Sequence, residues 1–404
     1  LNRPVLSCRD CGAVQSRPPV ADYNLLLCAE CDCQLERLTG RSLDAAFALS
    51  ATTLVLLIPA NLFPFLSTSV LGASRQSHLV SSVTAMWRQD WPLLAIAIGL
   101  FLIVLPIVRF ALLTAVLFLV RHKSRPAWLG RAFRWSNGLQ AWAMADVFLL
   151  GLLVAYERLS ATVQTTLGIG AYCFIGAAIA TLFTRATLDT DAIWERIQPS
   201  DDASGLEGVA ACSACEMVMR HAEPGCRCPR CDARINRRIP GALSGSIALT
   251  LAGVLLYIPA NLYAIARIPI GLKPTSYTIL GGVIELVDAH LTALAALVFT
   301  ASFAIPFFKL IGLIWCIASV LRRSAFALST KTKTYRVVEE IGRWSMVDPF
   351  VVACFVPVTQ YNATFTSSAE PAATFFTVVV VLTMLAAHVF DPRLMWDAAK
   401  GRSA

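Results

Sequence analysis

Charge is scarce in this sequence: of 404 residues only 15% are Asp, Glu, Lys or Arg, while 56% are hydrophobic. A chain this apolar lacks the polar residues that an ordinary soluble protein of its length needs to cover its surface. Histidine is also rare, and the five present form no recognisable metal triad. Neither a G-x-x-x-x-G-K-[ST] phosphate loop nor a nucleophile elbow occurs. These absences argue against a nucleotide-driven machine and against a classical hydrolase, so the chain is read as a non-enzyme. No apolar segment precedes the first cysteines, and no signal peptide is expected.

What the sequence has instead is long apolar runs. A hydrocarbon core of ~30 Å takes ~20 helical residues to cross, and eight segments qualify, at roughly 45–65, 91–120, 137–157, 163–184, 242–264, 289–321, 345–361 and 371–390. The second and sixth are long enough that they must tilt or project beyond the bilayer. With both termini placed inside, segments 1–43, 121–135, 185–241, 322–343 and 391–404 hold 5, 5, 8, 6 and 3 basic residues. The outer loops near 66–90, 158–162, 265–288 and 362–370 hold 2, 1, 2 and 0. This asymmetry orients the chain with both termini cytoplasmic. The net charge of +8 is then topogenic and lipid-facing, and no nucleic-acid partner is expected.

The chain repeats itself. At an offset of 200 residues Cys28-x-x-Cys31 meets Cys228-x-x-Cys231, Ile58-Pro-Ala-Asn-Leu62 meets Ile258-Pro-Ala-Asn-Leu262, Pro106 meets Pro306, and Arg109 meets Lys309. At an offset of 202, Trp142-x-Met144-x-Asp146-x-Phe148 meets Trp344-x-Met346-x-Asp348-x-Phe350. An even number of crossings per half makes the repeats parallel. The expected fold is thus an all-α polytopic membrane protein of two parallel four-helix repeats, each preceded by a small cytoplasmic cysteine module. The boundaries are 1–43 for the first module, 44–184 for the first repeat, 185–241 for the linker and second module, and 242–404 for the second repeat with a short tail. The polar stretch 199–210 marks the junction.

Cys8-x2-Cys11-x16-Cys28-x2-Cys31 and Cys212-x2-Cys215-x12-Cys228-x2-Cys231 are paired-knuckle spacings, each able to close a tetrahedral sulfur cage. Two zinc ions are expected, as structural centres of modules too small to fold on a core of their own. Four thiolates also suit a rubredoxin-like iron, and disulfides are disfavoured in a reducing compartment. Cys33 and Cys226 are spare thiols beside the cages.

Several polar residues interrupt the apolar runs. Arg109 and Lys309 lie deep in the long spans, where a charge costs on the order of 2.5–3.5 kcal/mol. Lys309 is expected to be buried with a role in a polar network, and Asp146 and Asp348 are the natural counter-charges. Asp146 is expected well inside the bilayer. Asp348, close to Arg343, equally suits a helix start nearer the boundary. Thr383 is either a packing hydroxyl bonded to its own backbone or a member of a cluster with Lys309. Pro59 and Pro259 free backbone carbonyls, and Asn61 and Asn261 are placed to bond them, giving a capped kink at the outer end of each repeat's first helix.

Taken together, the cytoplasmic C-x-x-C/C-x-x-C module, "IPANL" and W-x-M-x-D-x-F, all present twice, resemble the paraquat-inducible protein A family, in particular its intermembrane-transport members of the lipophilic envelope-spanning tunnel A type. The resemblance covers nearly the whole chain. It implies a Gram-negative inner-membrane protein, part of an intermembrane lipid transport system, that delivers phospholipid or another membrane lipid to a ring-forming periplasmic partner of the mammalian-cell-entry class, or accepts lipid from it. A Lys309–Asp146 pair driven by the proton gradient is a candidate energy input. Two other readings are a membrane redox protein with iron–thiolate sites and a non-transporting anchor for the tunnel protein. The second repeat departs from the pattern, with "IPANLYAI" where the first has "IPANLFPF", and Pro349 following Asp348.

Overall fold

The computed structural model describes residues 5–16, 25–37, 43–70, 73–160, 164–199, 209–220, 225–270, 273–358 and 368–401. Most of the junction 199–210 and of the outer loop 362–370 lies outside them. Among the described residues eight helices are long and apolar enough to cross a membrane: Leu43–Leu62, Pro92–Arg121, Leu129–Glu157, Ile169–Thr187, Ala242–Leu262, Thr292–Leu321, Leu328–Val358 and Pro371–Val389. The expected all-α, two-repeat architecture is therefore present. The duplication reaches the backbone, since left-handed residues that close helices fall at Asp90 and Lys123 and again at His290 and Arg323.

Two of the four spans in each repeat are not plain α-helices. Pro106 follows a π-helical turn at Gly99–Val104, and Pro306 follows one at Thr300–Ala304. Proline has no N–H to give and its ring crowds the preceding turn, so the register shifts by one residue before it. In π geometry the carbonyl left without a donor by Pro106 is that of Phe101, and the Met144 N–H bonds it at 3.4 Å. That N–H is available because the third span is broken there. It runs as a helix over Leu129–Gly138, a 3-10 turn over Leu139–Ala141 and a new helix over Ala145–Ser160. The seventh span repeats this as Leu328–Ile341, Gly342–Met346 and Val347–Val358. W-x-M-x-D-x-F thus marks a helix break, with Asp146 and Asp348 each in the first turn of the new segment, where a carboxylate complements the helix dipole.

The second segments of the broken helices, Ala145–Ser160 and Val347–Val358, join the repeats. The Phe148 ring lies 5.5 Å from Phe350, 5.0 Å from Phe174 and 5.6 Å from Phe65, and Gly151 lets the partner helix approach, since a Cβ there would sit 3.1 Å from Phe350 Cβ. Lipid tails are as apolar as these rings, so the junction is held by close packing rather than by transfer from water.

The end of each repeat away from the cysteines carries a small antiparallel sheet that the apolar pattern does not announce. Leu66–Val70 pairs with both Ala73–Ser77 and Gln164–Leu167. Ala266–Ile270 pairs with Lys273–Tyr277 and Ser368–Ala369. "LLIPANLFPF" leads into the first sheet. Its helix continues past Pro59 to Leu62, and the Pro64 and Phe65 carbonyls accept from Gly170 and Gly168, each at 2.9 Å. A Cβ at Gly168 would overlap the Pro64 carbonyl. Asn61 donates to the Leu57 carbonyl at 2.7 Å and Asn261 to that of Tyr257 at 2.8 Å. Each asparagine therefore bonds four residues before itself, not four before its proline, which corrects the expected cap. The Asn61 and Asn261 Oδ1 atoms are buried without a partner among the described residues.

At the other end the cysteine modules dock crosswise. The first module, with Cys8, Cys11, Cys28 and Cys31, packs in one apolar cluster with Cys316, Ile317, Tyr335 and Trp396 of the second repeat. The second, with Cys212, Cys215, Cys228 and Cys231, packs with Leu129, Phe133 and Trp194 of the first. The module that precedes a repeat in sequence is thus not the one that covers it. Gly130 admits this contact, because a Cβ would overlap the Arg230 carbonyl. Ion pairs mirror the exchange: Asp32 meets Lys333 at 2.8 Å, and Asp232 meets Arg131 at 2.9 Å.

Candidate metal centres and an inter-repeat polar site

Each C-x-x-C is the same turn built four times. The residue after the second cysteine is left-handed in every case, at Gly12, Asp32, Glu216 and Asp232. Its N–H returns to the carbonyl of the first cysteine at 2.9, 3.0, 2.9 and 2.9 Å. The turn points two sulfurs to one side, and two turns face each other. Cys8 Sγ lies 3.5 Å from Cys31 and Cys11 lies 3.6 Å from Cys28; Cys212–Cys231 and Cys215–Cys228 are both 3.6 Å. Within each group all four sulfurs lie inside 4.8 Å of one another, and all eight cysteines are buried. A metal with ~2.3 Å sulfur bonds in a tetrahedron sets sulfurs ~3.8 Å apart, so both groups fit one metal ion each. Hydrogen bonds from Cys11 first and Cys31 next hold the Cys8 thiol well below its ordinary range, and Cys215 and then Cys228 do the same for Cys212. Each cage is thereby arranged to keep a thiolate.

The first cage is wired to the second repeat. Arg336 donates through Nε to Asp10, and through Nη2 to the Cys31 carbonyl at 3.2 Å and the Cys31 sulfur at 3.4 Å. Cys33 is buried beside this cage while Cys226 is exposed.

The intramembrane residues divide differently from expectation. Asp146 is buried and pairs with Arg185 at 3.1 Å and with Arg343, from the other repeat, at 3.8 Å. Arg185 also donates to the Gln140 carbonyl at 3.4 Å. Arg109, 1% exposed, donates to Gln140 Oε1 at 3.1 Å and lies over the Phe110 ring at 4.9 Å. Lys309 is buried too, but its Nζ has no hydrogen-bond partner among the described residues. It lies against Gly342, where a Cβ would overlap it. The structure therefore does not join Lys309 to Asp146: Arg185 and Arg343 take the carboxylate, each through one nitrogen to the same oxygen. Thr383 donates to the Val380 carbonyl at 3.0 Å and sets its methyl against Gly253, the packing hydroxyl of the two readings. Asp348 is 9% exposed.

Asp146 also sits elsewhere than expected. Arg185 is in the last turn of a 19-residue helix, whose ~28 Å length is about one hydrocarbon thickness. Its carboxylate partner therefore lies toward the cysteine end of the span, not at its middle. Arg185, Arg343 and Gln140 escaped the sequence reading because the two arginines were counted with the inner loop charges. The one available signal was that all three lie within one or two residues of a helix end or break.

The family model described as Paraquat-inducible protein A matches residues 43–198 and again 243–400. Among curated proteins, the chain is 30% identical to the intermembrane transport protein PqiA of Escherichia coli strain K12, over 96% of this chain and 95% of that one. It is 28% identical to the lipophilic envelope-spanning tunnel protein A of the same strain, over 98% and 92%. It is 27% identical to a probable intermembrane transport protein of Haemophilus influenzae, over 97% and 95%. No solved structure matches.

Proposed function

Because the chain belongs to the paraquat-inducible protein A family, we propose that it is the inner-membrane component of an intermembrane lipid transport system. The observation that carries this reading is that relatives named for intermembrane transport and for an envelope-spanning tunnel align with it over nearly its whole length. In this reading both termini and both cysteine modules are cytoplasmic, and each module holds one structural zinc ion. Zinc is supported by the all-sulfur donor sets and the closed tetrahedral spacing, which leave no open coordination position for chemistry. The small sheets then face the periplasm and offer the docking side for a ring-forming partner of the mammalian-cell-entry class. Lipid passes at the junction of the two repeats, where the broken helices meet and where Arg109, Asp146 and the neighbouring Lys309, Thr383 and Asp348 lie along the adjoining spans. Pro59, Asn61, Pro259 and Asn261 shape the outer exits of the first helices.

Reconstitution tests the reading. Vesicles carrying the protein together with its co-purified periplasmic partner are expected to transfer labelled phospholipid to acceptor vesicles faster than vesicles carrying either alone. Equal rates in all three would overturn it. Elemental analysis is expected to find two zinc ions per chain in a colourless protein, whereas iron with visible absorption would favour electron transfer.

A further inference from the structure

The cluster around Asp146 holds more positive charge than its pairs require. Arg185 and Arg343 meet one buried carboxylate, that of Asp146, and Arg109 joins them through Gln140, whose Oε1 accepts from Arg109 and whose carbonyl accepts from Arg185. The other acid nearby, Glu340, meets Arg343 at 2.7 Å with its own side chain 74% exposed. Arg109 Nε and Nη1, Arg185 Nε, Arg343 Nε and Ser345 Oγ are all buried without a hydrogen-bond partner among the described residues. Buried donors left open in this number are costly, and a ligand rich in acceptors would relieve them. The planar fork of a guanidinium matches a phosphate. The level is also right for one, since Arg185 closes a helix of one bilayer thickness and lipid phosphates lie at that boundary.

We propose that Arg109, Arg185 and Arg343 form a binding site for a phosphate-bearing anion, built on the first repeat and closed by an arginine of the second. The second repeat has no such site of its own. Gly342 stands where the first repeat has Gln140, Ala387 where it has Arg185, and Lys309 where it has Arg109. The inference deepens the transport reading by giving the lipid headgroup a place, but its chemistry is that of any accessible phosphate.

The test uses the full chain, metal-loaded, in an uncharged detergent. Native mass spectrometry and tryptophan fluorescence follow titration with dihexanoyl phosphatidic acid, inorganic phosphate and dihexanoylglycerol, which has no phosphate. Phosphatidic acid is expected to bind, dihexanoylglycerol is not, and Arg109→Gln and Arg343→Gln are each expected to weaken the phosphatidic acid affinity about tenfold or more, while Arg125→Gln in the exposed loop after Arg121 leaves it unchanged. Arg343→Lys, which keeps the charge but loses the fork, is expected to fall between, and it carries the test if Arg109→Gln fails to fold. Equal affinity for inorganic phosphate identifies a free-anion site, and preference for phosphatidic acid identifies a headgroup site; either supports the proposal. Absence of binding by both phosphates, or unchanged binding in Arg343→Gln and Arg343→Lys, overturns it. Binding without lipid transfer in vesicles would leave the site standing and remove the transport reading.

Discussion

The two repeats share a backbone plan and differ in what they put at the same place. In the first, the break in the third span is filled by charge: Arg109 is held by Gln140, and Asp146 by Arg185. In the second, the matching break is filled by size, with Lys309 tucked against Gly342 and no acceptor for its ammonium among the described residues. Arg343 leaves the second repeat to serve Asp146 of the first. Duplication thus supplied two equal frames, and divergence made one polar site shared between them. The cysteine modules tell the same story from below, since each covers the repeat that it does not precede.

Loss of metal is expected to give the largest effect, because a structural metal, zinc in the reading proposed above, contributes on the order of 10 kcal/mol to its module. Crosswise docking predicts where the damage appears. Cys31→Ser is expected to raise hydrogen exchange in 328–341 and 393–399 and spare 129–138 and 190–197, while Cys231→Ser does the reverse; damage confined to the adjoining repeat in sequence would refute the crossing. Next in size is Asp146→Asn, which leaves Arg185 and Arg343 without their carboxylate and is expected to cost about 3–5 kcal/mol. The two cations should then part company. Arg109→Met strands Gln140 and is expected to destabilise by about 1–3 kcal/mol, whereas Lys309→Met removes an unpaired buried charge and is expected to stabilise by a similar amount. Thermal unfolding in one detergent compares all three, and changes of one sign at both cations would erase the asymmetry.

The smallest effect concerns the module contacts. Lys333 holds the Asp32 carboxyl below its ordinary value, so the contribution of this pair is whole above the unfolded value near ~3.9 and is lost as pH falls through the lowered one. The gap in thermal stability between wild type and Asp32→Asn should therefore be small at neutral pH and close on acidification. A gap independent of pH would mean that the pair has no such role. Asp232, held down by Arg227, is expected to behave alike.

The eight spans, the duplication and the cysteine cages were legible because each rests on a local pattern: apolar length, repeated motif, fixed spacing. The helix breaks were not, since the apolar runs start only at 137 and 345, which leaves most of the polar helices Leu129–Gly138 and Leu328–Ile341 in the inner segments 121–135 and 322–343, and a 3-10 turn at Leu139–Ala141 costs the pattern nothing. Pro106 and Pro306 were visible, but which carbonyl Pro106 frees depends on the π register. Arg185 and Arg343 were hidden by their positions at helix ends, where a charge ordinarily turns to water. Crosswise docking was beyond reach, because an offset of 200 residues pairs equivalent positions and says nothing about which surfaces meet.

The shared site is the point on which the account turns, and Arg343 is its most exposed commitment, as a residue of one repeat serving a site built on the other. The direct measurement is phospholipid transfer by Arg343→Gln in vesicles with the proposed periplasmic partner, beside wild type and with folding checked by thermal unfolding. The account predicts a fall of about tenfold or more, in line with loss of one two-pronged anion contact. A folded variant that transfers lipid at the wild-type rate would contradict it.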